Sequence, residues 1–210
     1  LFFIISGFVI AMTLESSRSV LDFAIRRFVR IWPALIVSAV LTFFLLNWSD
    51  SPFALTRRQF WPNFLPSLTL TPTSLWSGLF PKVDFVTGVY WSLVVEIRFY
   101  MIAAILFWLL PRDRLARNLV IFTVVIYIAR ALLRRVMPGY NGVFDALFIP
   151  DYMPWFAAGA VFYELYKERL TKGAALIMLA VMYVLIARVS TNYAMIGRDP
   201  VIASTAGLSF

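Results

Sequence analysis

Ser92, Glu96 and Tyr100 recur every four residues in the apolar stretch YWSLVVEIRFY, from Tyr90 to Tyr100. In a helix that spacing stacks a hydroxyl, a carboxylate and a phenol on one face. Glu96 lies eight residues past Gly88, so a helix would carry it about 12 Å into a membrane, where a carboxylate is costly without a partner or a wet cavity. Such a group is read first as functional. The structural alternative is a pair with Arg98, which points to a different face, or with an arginine of a neighbouring helix.

A second group is Arg26, Arg27 and Arg30 in RRFVRIWP. Arg27 and Arg30 are three apart and share a helical face, where two guanidiniums make a fork for phosphate. Ser19 is expected to cap a short helix through Asp22, with Pro33 kinking or restarting it. If a helix starts at Pro33 instead, the arginines crowd its positive end, which favours a bound anion. The plain alternative is a juxtamembrane run that meets lipid headgroups. A third group is the pair Ser6-Gly7 in LFFIISGFV, which lets a second helix approach or a ligand reach the backbone.

The elements that must carry these groups follow from composition. The chain is 61% hydrophobic, against about 45–50% in ordinary soluble domains, and its mean hydropathy is +0.82. A soluble core does not absorb that much apolar surface. The expected fold is all-α, a polytopic transmembrane helical bundle in one domain over residues 1 to 210, with no separate soluble domain. Spans are expected at about 1 to 14 (cut short), 31 to 48, 88 to 110, 118 to 133, 147 to 166 and 173 to 188, with another starting near 201.

Arg18, Arg26, Arg27 and Arg30 follow the first span, Arg112, Arg114 and Arg117 the third, and Lys167, Arg169 and Lys172 the fifth. These three loops share one side, which the positive-inside rule makes cytoplasmic. Arg57, Arg58, Lys82, Arg130, Arg134 and Arg135 on the other side oppose that bias. The connection from 49 to 87 carries Pro62, Pro66, Pro72 and Pro81 with Trp61 and Trp76, which forbids one continuous helix; it lies along the outer surface or dips in. The net charge of +8 sits mostly at the ends of apolar runs, so it points to lipid headgroups and not to nucleic acid. With no Cys and no His there is no thiol nucleophile and no imidazole base; the common His-containing zinc sites are excluded, and no metal site is expected.

FFIISGF, RRFVRIWP and WSLVVEIRFY, in that order, resemble the motifs FFxxSGF, RRxxRxxP and WSLxxExxFY of the acyltransferase-3 family. WFAAGAVFY, Trp155 to Tyr163, is similar to its later FxxGxxxY helix. The resemblance implies a membrane-bound O-acyltransferase of roughly ten helices in the cytoplasmic membrane. It takes an acyl group, often acetyl, from cytoplasmic acyl-CoA to a hydroxyl of an extracytoplasmic glycan, with no permanently bound cofactor. On this likeness Arg27 and Arg30, with Arg26 beside them, hold the CoA phosphates. Glu96, Ser92 and Trp91 form the catalytic motif, with Glu96 first an acceptor-orienting or anchoring group; Phe3, Ser6, Gly7 and Tyr100 are substrate-binding.

The family carries a His on the helix before FFxxSGF, which this sequence lacks. The chain by itself is therefore expected to be inactive and to need a preceding segment for its base. The competing readings are a transporter or flippase-like protein with Glu96 and the arginines along its substrate path, and a noncatalytic fragment.

Overall fold

The computed structural model describes residues 1–50, 59–71, 73, 76, 78–80, 83–87, 90–137, 139 and 141–198. Every regular element among them is helical: α1 (Phe2–Ser16), α2 (Val20–Trp48), a 3-10 turn (Trp61–Asn63), α3 (Phe64–Thr69), α4 (Tyr90–Leu109), a second 3-10 turn (Arg112–Arg114), α5 (Leu115–Val136), α6 (Asn141–Phe148), α7 (Met153–Tyr166) and α8 (Lys172–Arg198). The span expected near 201, Gly88, and Arg57, Arg58, Lys82, Pro72 and Pro81 of the long connection lie outside the described residues.

Three of these helices contain a stretch long and apolar enough to cross a membrane: Val20–Trp48, Tyr90–Leu109 and Lys172–Val189. Two expectations need correction. The stretch 147 to 166 is not one helix, because α6 ends at Phe148 and α7 begins at Met153. Ile149, just before Pro150, takes a left-handed backbone (φ 43°), and Pro150 removes a backbone donor where the helix would have continued. Nor does Pro33 restart a helix: α2 runs through it for 29 residues. The Ser19 cap is as expected, its hydroxyl accepting from the Asp22 amide at 3.1 Å.

The chain divides into two compact units, Leu1–Ser16 with Arg98–Phe210, and Ser17–Ile97. In the first, α7 is the central element, packed against α1, α5 and α8. Its residues Phe156, Ala157, Ala160 and Val161 have no exposed surface. The ends of α1 and α7 and the start of α5 lie together. Tyr163 donates to Glu15 at 2.5 Å, and the Ala116 amide donates to the buried Glu164 carboxylate at 2.7 Å. At the far end of α5, Arg130 holds Asp145 of α6 and Asp151 of the following turn, each at 2.5 Å. Arg130 thereby sits between two carboxylates.

In the second unit, residues 59–69 run back along α2. The Asn47 amide group pairs with the backbone of Gln59, donating to its carbonyl and accepting from its amide, both at 3.1 Å. Nine residues on, the Leu68 carbonyl accepts from the Trp32 indole at 3.0 Å. Asn47 and Trp32 are 15 residues apart on α2, about 22 Å along its axis. The segment thus follows α2 from the level of Asn47 to that of Trp32. The turn at Leu70 (φ 50°) closes the descent. The rings of Trp61 and Phe80 then meet at 5.3 Å, back at the upper level. Asp84 and Val86 pass beside Asn63 and Ser67, their amides donating at 3.1 and 2.8 Å. The chain then enters α4 at Tyr90, whose hydroxyl faces the Leu35 carbonyl at 3.5 Å.

Candidate functional site

Helical geometry separates the arginines of α2. Arg27 is buried, 5% exposed, with its guanidinium 5.7 Å from the centre of the Phe23 ring one turn back. Arg30 is exposed. Arg26 is exposed as well and donates to Asp22 at 2.9 Å, a surface pair of the i, i+4 kind. One cation therefore sits inside the unit while two remain within reach of a ligand arriving from water. Phe28 and Trp32 stack at 4.5 Å beside them, and Trp32 carries the bond that ties down Leu68.

On α4 the spaced face exists as expected. Ser92 is half-buried, Glu96 is 8% exposed and Tyr100 is 7% exposed, all within one uninterrupted helix. Trp91 faces outward. Ser92 and Glu96 belong to the same unit as the α2 arginines, and the Tyr90–Leu35 contact brings the start of α4 to the middle of α2. A carboxylate in this position can orient a hydroxyl by accepting its proton in a hydrogen bond, or take that proton during attack.

Phe3, Ser6 and Gly7 lie in the other unit, on the face of α1 that meets α7. A Cβ built on Gly7 would lie 2.1 Å from the Phe156 carbonyl oxygen, and one on Gly159 would lie 2.1 Å from that of Ile4. The two helices thus touch backbone to backbone, and the packing role named for the Ser6-Gly7 pair is what the geometry displays at Gly7. Ser6 is buried on the same face. The Phe3 ring sits 5.0 Å from that of Phe156, which in turn stacks on Phe99 at 4.1 Å.

Sequence reasoning missed the polar cluster at the end of this seam. Glu15 of α1 accepts from Tyr163 of α7 and from Arg169 of the loop after it. That hydrogen bond from Arg169 is the main reason the Glu15 carboxyl is held below its ordinary value; partial burial opposes it and the Tyr163 hydroxyl adds to it. Glu15 in turn holds Arg169 above its ordinary value. Glu164 was missed too, although a lone carboxylate inside WFAAGAVFYELY was a visible signal. It accepts from an amide in the first turn of α5, where the positive end of the helix favours an anion. Among the described residues no cluster of three or more His, Cys, Asp or Glu has metal-ligand placement.

Long apolar helices, a basic end on α2 and a buried carboxylate on α4 define a helical membrane protein with a candidate polar site. The family described as an acyltransferase domain matches residues 1–207, and the chain belongs to that family, acyltransferase-3. The O-acetyl transferase of Shigella phage Sf6 is 28% identical over 113 residues, 50% of this chain and 32% of that protein. The chain thus matches that curated relative over about a third of the relative's length. No solved structure matches.

Proposed function

We propose that this chain belongs to a membrane-bound O-acyltransferase that moves an acyl group, acetyl first among them, from cytoplasmic acyl-CoA to a hydroxyl of an extracytoplasmic glycan. The family match over residues 1–207 carries the reading, and the name of the phage relative, an O-acetyl transferase, supports acetyl as the group. Arg30 and Arg26, exposed near the N-terminal end of α2, and the buried Arg27 are the groups for the CoA phosphates. Their end of α2 faces the cytoplasm of a cell membrane in this reading.

In the reaction the acceptor oxygen attacks the thioester carbonyl, a C–O bond forms, the C–S bond breaks, and CoA leaves as the thiol with a proton. The hydroxyl needs a base as its bond forms. The resemblance assigns that role to a His on a preceding helix, and Glu96 then orients the acceptor. In this reading Phe3, Ser6, Gly7 and Tyr100 are substrate-binding, and Trp91 and Ser92 belong with Glu96 to the α4 motif.

The test is acyl transfer by the intact protein in membranes, with acetyl-CoA labelled in the acetyl group. Label should appear on cell-surface glycan and disappear in Glu96→Gln. Movement of an acceptor across the membrane with no label transferred would establish the transporter reading instead.

A further inference from the structure

We infer that the face of α4 bearing Arg98 is covered by a further membrane helix of the same polypeptide, lying outside residues 1–210, and that an aspartate or glutamate at mid-span on that helix pairs with Arg98. The inference stands on this face and not on the function proposed above. Arg98 is half-buried, eight residues from the start of α4 and eleven from its end, which places it about 12 Å and about 16 Å along a helix long and apolar enough to cross a membrane. It does not share a face with Glu96, which lies about 200° away around the same helix. Among the described residues no carboxylate pairs with its guanidinium. A cation at that depth is costly without a partner, and snorkelling to the headgroups serves arginines near a helix end.

The rest of the face narrows the choice of partner. Met101, Ile105 and Leu109 share Arg98's side of α4 and are 56%, 56% and 77% exposed, whereas Phe99, Ala103 and Phe107, turned away from that side, are buried. An exposed apolar surface suits lipid or another helix and is a poor lining for water, while a lone guanidinium in its midst is out of place against lipid. A membrane helix with one carboxylate satisfies both. A second copy of this chain does not offer one on its membrane-length helices: α2 carries only Asp22, in its first turn, α4 only the buried Glu96, and the apolar stretch of α8 none. The part of the phage relative that matches this chain is 32% of that protein, which leaves ample chain for such a helix.

The test uses the full-length protein and reads its folded yield in membranes, so failure of the proposed reaction leaves the readout untouched. Arg98→Leu should lower that yield at least tenfold, because it strands the partner's carboxylate in the membrane. An arginine facing lipid would give the opposite result, since leucine there raises the yield. Arg98→Lys should keep most of it. Arg98→Glu should fail as Arg98→Leu does, and be restored when one mid-span Asp or Glu outside residues 1–210 is changed to Lys. Replacing Arg98 and that carboxylate together by cysteine removes both charges and should give an intramolecular disulfide on oxidation. An undiminished yield in Arg98→Leu would overturn the ion pair. Absence of rescue at every mid-span carboxylate of the polypeptide would overturn the further helix as its source, and rescue without the crosslink would overturn the direct contact.

Discussion

Gly7 and Gly159 face each other across the α1–α7 seam so closely that neither tolerates a side chain, the obstacle on each side being backbone. Backbone cannot swing aside as a side chain does, so the helices must separate. Gly159→Ala should destabilise the folded protein by about 1–3 kcal/mol, the usual range for overpacking. Gly173, in the first turn of α8, meets nothing within 4 Å, and Gly173→Ala should be neutral or slightly stabilising. Thermal unfolding in detergent would separate the two, and equal losses would remove the contact as the reason for Gly159.

That seam was only half legible in the sequence. Ser6-Gly7 announces a close approach, but its partner lies about 150 residues away, and nothing local pairs them. The same holds for the Trp32–Leu68 bond: the prolines of the long connection excluded a single helix, while its descent along α2 depends on bonds between side chains and distant backbone. The Ser19 cap was readable because its whole mechanism lies within four residues. The stretch 147 to 166 misled because its apolar content outweighed, in the reading, the break that Pro150 imposes.

The Glu15–Arg169 pair makes stability depend on pH. The Glu15 carboxyl is depressed in the folded protein by Arg169, with 4.5 its ordinary value. A depressed carboxylate contributes fully above the unfolded value and loses that contribution as pH falls through the folded one. Wild type should therefore exceed Glu15→Gln in stability at pH 7, and the difference should shrink below about pH 4.5. Both side chains are about a third exposed, so solvent screening keeps the pair near 0.2–1 kcal/mol. Unfolding midpoints from pH 7 to pH 3 check the sign; a gap that widens on acidification would reverse the assignment.

The arginines of α2 should divide by burial. Arg30→Ala removes an exposed cation and should weaken acetyl-CoA binding about tenfold or more, at about 1.5–3 kcal/mol for a charge-assisted hydrogen bond, with little change in stability. Arg27→Ala should weaken binding and also lower stability, because the buried side chain packs on Phe23. Arg114→Ala, an exposed change beside Asp113, should do neither. Isothermal titration with acetyl-CoA beside unfolding measurements distinguishes these outcomes, and unchanged affinity in a folded Arg27→Ala, Arg30→Ala double variant would remove the donor-site assignment.

Glu96 carries the last prediction, because its position combines burial with a place in the same unit as the arginines. A carboxylate at this depth is expensive to keep, and Glu96→Gln preserves shape and hydrogen-bonding reach while losing the charge. If the carboxylate orients the acceptor hydroxyl, the variant should bind acetyl-CoA normally and lose turnover by about 10²-fold or more, the lower range for a positioned acid–base group. Glu164→Gln supplies the comparison: it too is buried, and its carboxylate accepts from the Ala116 amide in the first turn of α5, so its loss should appear in stability before rate. Acetyl transfer measured at saturating acetyl-CoA, with insertion confirmed for each variant, reads the difference. Near-normal turnover in Glu96→Gln would reduce that residue to a hydrogen-bonding strut within α4.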